Sequence, residues 1–164
     1  MNKLFALLVT GILFGCSQHI STNQTSSAAI DSLAAQVQDM KEKYRPGLGE
    51  IMGGIQMHHA KLWFAGINNN WKLADYEIKE IKERLAEAAE IETNRPEVKD
   101  IPMMYPAIDS VANAIKEQNI QTFKAGFQSL TNACNNCHRA INFQFNVITV
   151  PTAPPVTNQD FKVK

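Results

Sequence analysis

The sequence predicts an all-α protein: an antiparallel four-helix bundle with an N-terminal lead-in helix and an irregular, proline-containing C-terminal tail. Three observations lead to this fold. Apolar residues recur at spacings of three and four along several segments, the repeat of one helical face. Valine and isoleucine are not gathered into strand-like runs ahead of the tail. Turn signals at Pro46–Gly47, Asn68–Asn69–Asn70 and Asn119 separate the segments.

The N-terminus sets the compartment. Met1–Asn2–Lys3 is basic, Leu4 to Phe14 is almost wholly apolar, and Gly15–Cys16 follows. That order is the pattern of an export signal, so residues 1–15 are expected to be a signal peptide. The apolar stretch is too short for a finished transmembrane helix. Leu13–Phe14–Gly15–Cys16 resembles the lipobox of bacterial lipoproteins. The resemblance implies acylation of Cys16, attachment to a membrane through that lipid, and, with Ser17 next, the periplasmic side of the outer membrane of a Gram-negative bacterium.

Residues 16–27 are polar and aperiodic, and they read as a flexible tether with a reach of roughly 20 Å. His19 lies in it as a linker residue. Residues 28–45 form the lead-in helix, with Ile30, Leu33, Val37 and Met40 at helical spacing. Residues 46–143 carry the bundle. Its first helix, Leu48 to Gly66, has one stripe of Leu48, Met52, Ile55, His59, Leu62 and Trp63. Met57 falls opposite and His58 on the border. A helix over Trp71–Ile91 turns Trp71, Ile78, Ile81, Leu85 and Ala88 inward and presents a charged outer face. On that face Glu80 and Arg84 stand in the favourable i,i+4 order. Glu92 to Pro102 is expected to be a loop. Met104 to Gln118 forms the third helix through Met104, Ile108, Val111 and Ile115. The last helix runs from Ile120 to about Phe143, with Phe123, Phe127, Leu130, Cys134, Cys137 and Ile141 on one face. Residues 144–164 form an extended tail along the domain surface, because Pro151, Pro154 and Pro155 break any helix.

Composition excludes several functions. The 164 residues hold 16 Lys+Arg and 16 Asp+Glu, so there is no basic surplus for a nucleic-acid partner. There is no nucleophile motif, phosphate loop or second metal constellation, and no enzymatic role is expected.

The chemistry gathers at Cys134–Asn135–Asn136–Cys137–His138. Cys134 and Cys137 lie one helical turn apart, so both thiols leave the helix on one side. His138 follows directly. Two thiols one turn apart meet the two vinyl groups of a haem, and the adjacent imidazole reaches its iron; Cys-x-x-Cys-His is the signature of c-type attachment. A thioredoxin-like dithiol belongs instead to a βαβ context. A zinc site needs four ligands, and this chain has no second cysteine pair. A disulfide across one helical turn is strained and closes almost no loop. One covalent haem c is therefore expected, with Cys134 and Cys137 as its thioethers and His138 as the proximal iron ligand. Trp63, Phe64, Phe123 and Phe127 are candidates to pack on it or to form ordinary core.

The sixth iron position must come from an inward stripe. Met52 and His59 share that of the first bundle helix, about 10.5 Å apart along the axis, so at most one faces the iron. His138 lies about five residues before its helix ends. The matching level on the antiparallel first helix lies about five residues after its start, near Met52. Met52 is the expected sixth ligand, His59 the alternative, and an open site the third possibility. His58 and Met57 point away.

With Cys134, Cys137 and His138 late in the last helix of a four-helix bundle, the chain resembles the class II cytochromes c over about residues 45–143. That group includes cytochrome c prime and its low-spin, methionine-ligated relatives. The resemblance implies electron transfer with redox partner proteins in the periplasm when a residue at the Met52 turn ligates the iron. An open site implies binding of nitric oxide or carbon monoxide. Dimers are common among similar bundles, which makes a homodimer possible. His59–Gly66 (HAKLWFAG) and Pro151–Pro155 (PTAPP) are also similar to a subgroup of exported cytochrome-like proteins. The lead-in helix and the proline-rich tail depart from the family's pattern.

Overall fold

A computed structural model describes residues 21–163. The expected signal peptide, Cys16 and His19 lie outside the described residues. The chain divides into two compact units, Met1–Arg45 and Pro46–Lys164. In the first, α1 spans Ser21–Tyr44, with Gln36–Ser32 and Gln38–Glu42 side-chain hydrogen bonds one turn apart. It begins inside the stretch expected to be a tether. No proline or glycine separates Ser21 from Ala28, so each further residue adds a helical hydrogen bond without a stop signal.

The second unit holds α2 (Leu48–Ile67), α3 (Trp71–Ile91), a 3₁₀ segment (Pro96–Met104), α4 (Tyr105–Lys116) and α5 (Ile120–Ala140). The described residues contain no strand. Helix α2 packs antiparallel on α3 and α4 on α5, while α3 also meets α4 and α2 meets α5. Asparagines open two of these helices: Asn70 Oδ1 accepts the Leu73 amide at 3.3 Å, and Asn119 Oδ1 accepts those of Gln121 and Thr122 at 3.0 and 3.2 Å. Such caps satisfy amides that have no partner within the helix.

Helices α2, α4 and α5 end alike. Asn69, Gln118 and Asn142 are left-handed, with φ of 56°, 53° and 59°. After each, an amide returns to a carbonyl five residues back: Asn70 to Ala65, Asn119 to Ala114 and Phe143 to His138. This is the Schellman arrangement. It stops α5 at Ala140, short of the expected Phe143, and reverses the chain directly after His138. The expected loop before α4 is largely the 3₁₀ segment, opened by Pro96 and anchored by buried Ile101 and Met104. The tail is irregular. Phe161 is buried, with its ring centroid 5.7 Å from that of Phe64, so the tail reaches the far end of α2 from the end of α5.

The core is an apolar cluster from α2, α3, α4, α5 and the 3₁₀ segment, centred on fully buried Phe123 and Phe127. On α2 its buried apolar members include Ile51, Ile55 and Leu62, while Leu48, Met52 and Trp63 of the expected stripe are only partly buried. Two glycines allow close approach. A Cβ on Gly126 would press Val111 of α4 at 3.3 Å. A Cβ on Gly66 would overlap the Phe123 ring, whose Cζ, Cε1 and Cε2 occupy the space that Cβ would take.

The charged face of α3 is not wholly solvated. Glu77 is buried and lies 2.7 Å from His58 Nδ1 of α2. Glu80 turns to the same imidazole at 3.7 Å, and Arg84 approaches Glu87 at 4.0 Å instead of forming the expected Glu80 pair.

The ring of Phe123 has no free side on which to retreat. Gly66→Ala is therefore expected to lower unfolding free energy by about 1–3 kcal/mol, the usual cost of overpacking. Urea unfolding monitored by circular dichroism measures it; an unchanged midpoint would contradict the close approach.

Candidate functional site

Helices α2 and α5 face each other in an antiparallel register that can be read residue by residue. At one end Gly66 meets Phe123. Two turns along α2, His59 meets Thr131. One further step of the same size brings Met52 level with His138. Between the first two levels the space is filled by aromatic rings: Trp63 and Phe127 centroids are 4.9 Å apart, and His59 and Phe127 are 4.4 Å apart. Beyond His59 the aromatic filling ends and a cavity begins.

The cavity has a volume of about 400 Å³, within the range of small-ligand and cofactor sites. Met52, His59, Cys134, Cys137 and His138 all line it. The structure thus gathers every residue that the sequence nominated for cofactor or iron binding, apart from the acylation candidate Cys16. Leu48 and Ile55 of α2, Leu85 of α3 and Ile141 complete an apolar lining. Sequence reading missed one wall: Arg95, Glu97, Val98 and Ile101, in and before the 3₁₀ segment. It also missed Asn146 and Ile148 of the tail. None of Trp63, Phe64, Phe123 and Phe127 lines the cavity; they belong to the aromatic packing beside it.

The two thiols are not bridged to each other. Burial pushes Cys134 up to about 12. Burial, then the nearby Asp100 carboxylate, raises Cys137 as well. Both are held as neutral thiols at pH 7. A redox dithiol needs the opposite, an exposed thiol of lowered pKa.

His138 is half-buried at the end of α5, where the Schellman turn sends the chain back past it. Its Nδ1 lies 2.6 Å from the Asn146 carbonyl oxygen. A carbonyl only accepts, so Nδ1 carries a proton, and in the neutral ring the lone pair is left to Nε2. This is the state of a ligating histidine supported by a backbone carbonyl.

His59 is held differently. The Thr131 hydroxyl donates to the Phe127 carbonyl at 2.9 Å. With its single proton used there, the hydroxyl accepts from His59 Nε2–H at 2.9 Å. One ring nitrogen is therefore committed, and the ring is packed on Phe127. Met52 is partly buried and has no polar bond to break. His58, one residue before His59, is turned to Glu77 and Glu80 of α3 and does not line the cavity.

The donor set fits a covalent haem. Two neutral thiols stand one turn apart, an imidazole beside them has a free Nε2 lone pair, and a thioether from the opposite helix shares the apolar cavity. Arg95 adds a guanidinium at the rim, with Glu97 Oε1 3.3 Å away. Comparison with family models, with curated proteins and with solved structures finds no match. Among the described residues no helix is long and apolar enough to cross a membrane.

Burial lowers the pKa of His59 from 6.5 to about 4. Below pH 6.5 the unfolded chain binds a proton that the folded one refuses. His59 therefore contributes a loss of stability as pH falls from about 6.5 to about 4, and none above. The slope reaches about 1.4 kcal/mol per pH unit at most. His59→Gln keeps an amide donor for Thr131 without a titrating ring. Its urea midpoint is expected to fall less between pH 7.5 and pH 5 than that of the parent chain. Equal falls would contradict a buried neutral His59.

Proposed function

We propose that this chain is a c-type cytochrome of the four-helix-bundle class, with α2, α3, α4 and α5 as its bundle, and that it carries electrons outside the cytoplasm. The observation that carries this reading is the cavity into which Cys134, Cys137, His138 and Met52 all project from facing helices. Haem c, when bound, supplies a one-electron ferric–ferrous couple. Cys134 and Cys137 would hold it covalently, which prevents its loss. His138 would present Nε2 as proximal ligand, with Nδ1–H anchored on Asn146. Met52 would present its thioether from α2 at the same level. A thioether in that position raises the reduction potential relative to a second imidazole. His59, its Nε2 bonded to Thr131, would remain in the wall. Arg95 would meet the carboxylates of the group at the cavity rim. The leucine and isoleucine lining would exclude water and favour the less charged state.

The export signal, the lipobox and the polar stretch after it support an anchored lipoprotein, tethered through Cys16 on the periplasmic side of the outer membrane. The chain would then exchange electrons with redox partner proteins there, without acting on an organic substrate.

A second reading is a five-coordinate gas-binding protein. Gly49 and Gly53 support it, because both line the cavity on α2 beside Met52 and a Cβ on either would meet open space. A diatomic ligand has room there if the methionine stands aside.

Optical spectra of the reduced protein, with and without carbon monoxide, separate the two. Electron transfer predicts a low-spin spectrum that ignores the gas. Met52→Ala is then expected to give a spectrum that shifts with the gas, while His59→Gln stays low-spin. A high-spin parent spectrum that shifts with carbon monoxide would exclude Met52 as a sixth ligand and favour the open site.

A further inference from the structure

The motif contains two asparagines, and the fold treats them differently. Asn136 is exposed, and its Oδ1 accepts from Arg139 one turn on. Asn135 is partly buried, and its amide is bonded on both sides. Its Oδ1 accepts the Ile148 N–H at 2.8 Å, and its Nδ2 donates to the Ile148 carbonyl at 2.8 Å. Nδ2 also donates to the Thr131 carbonyl at 3.1 Å, which fixes the amide on its own helix. The pair of bonds to one residue's N–H and C=O clamps the backbone of Ile148 as a neighbouring strand would. Two residues earlier in the same segment is Asn146, whose carbonyl oxygen lies 2.6 Å from His138 Nδ1.

We propose that Asn135 is a positioning residue for the proximal imidazole: by pinning Ile148 it holds the Asn146 carbonyl against His138 Nδ1. The proposal rests on the reading of His138 as an iron ligand. Asn146 itself is exposed, so water competes for both partners of the bond. Four hydrogen-bonding groups thus act in series, from helix carbonyl to amide, to tail backbone, to imidazole. The clamp fixes which nitrogen carries the proton and limits ring rotation. It also makes Nε2 a stronger donor, as a carbonyl acceptor on the far nitrogen does in metal sites generally. A stronger donor favours ferric over ferrous iron. Releasing the clamp weakens the donor and shifts the balance towards the ferrous form.

The test uses the haem-loaded full chain and three variants: Asn135→Ala, the milder Asn135→Ser, and Asn136→Ala as control. Haem content is measured on denatured protein. The midpoint potential is measured by optical titration, and hydrogen exchange of the His138 Nδ1 proton by NMR in the ferrous state. All variants are expected to keep covalent haem. Both Asn135 variants should raise the ferrous-to-ferric ratio at fixed potential about tenfold, equivalent to about 59 mV for one electron. Their Nδ1 proton should exchange faster, and Asn136→Ala should match the parent in both readouts. Asn135 variants that hold haem and match Asn136→Ala in potential and exchange would overturn the proposal. A parent chain without covalent haem would instead overturn the reading on which it rests.

Discussion

The antiparallel register of α2 on α5 is the constraint on which the rest of the molecule depends. It is set at one end by a missing side chain, where Gly66 leaves the space of a Cβ to the Phe123 ring. It is set in the middle by a polar contact, His59 with Thr131, inside an otherwise apolar interface. Slipping either helix by a turn would bury the His59 nitrogen without a partner and drive the Phe123 ring into a residue larger than glycine. With those two levels fixed, the third follows: Met52 comes opposite His138. The cavity lies at that level because the aromatic rings of Trp63, Phe123 and Phe127 stop short of it.

The surroundings of His138 depend on the end of α5. Asn142 adopts the left-handed conformation that ends the helix, and the Phe143 amide returns to the His138 carbonyl at 2.7 Å. The reversal brings Asn146 beside the His138 ring and Ile148 beside Asn135. A tail that carries no regular structure of its own thus becomes part of the site. Its far end is held independently, by Phe161 buried near Phe64 and by the Asn70 amide 3.4 Å from the Phe161 carbonyl. The thiols sit in an apolar wall that keeps them protonated and poor nucleophiles. That environment suits residues committed to a bound group better than residues that cycle between thiol and disulfide.

Much of this was legible in the residues, for identifiable reasons. Helix boundaries for α2 and α3 follow from apolar repeat and from asparagine caps, which are local. That Cys134, Cys137 and His138 line one cavity was legible because residues three and four apart share one side of a helix. The level of Met52 came from counting along two antiparallel helices. What escaped depends on partners distant in sequence. Periodicity reports a face and not what it meets, so it passes over buried Ile51 and assigns Leu48 to the core although Leu48 lines the cavity. Glu77 was read as part of a solvated face, yet it is buried because His58 of α2 reaches it. The sequence assigns Asn135 no role, since its bonds depend on where the tail returns. The wall from Arg95 to Ile101 was read as a loop because Pro96 and Pro102 signal breaks and say nothing of a 3₁₀ segment.

The central claim is that the cavity between α2 and α5 holds one covalent haem on Cys134 and Cys137. Intact-mass measurement of the chain, produced with a haem attachment system and then fully denatured, tests it most directly. The account predicts a mass increase of one haem per chain, carried on the peptide that contains Cys134 to His138. A chain at its apo mass, with both thiols free to alkylation, would contradict it.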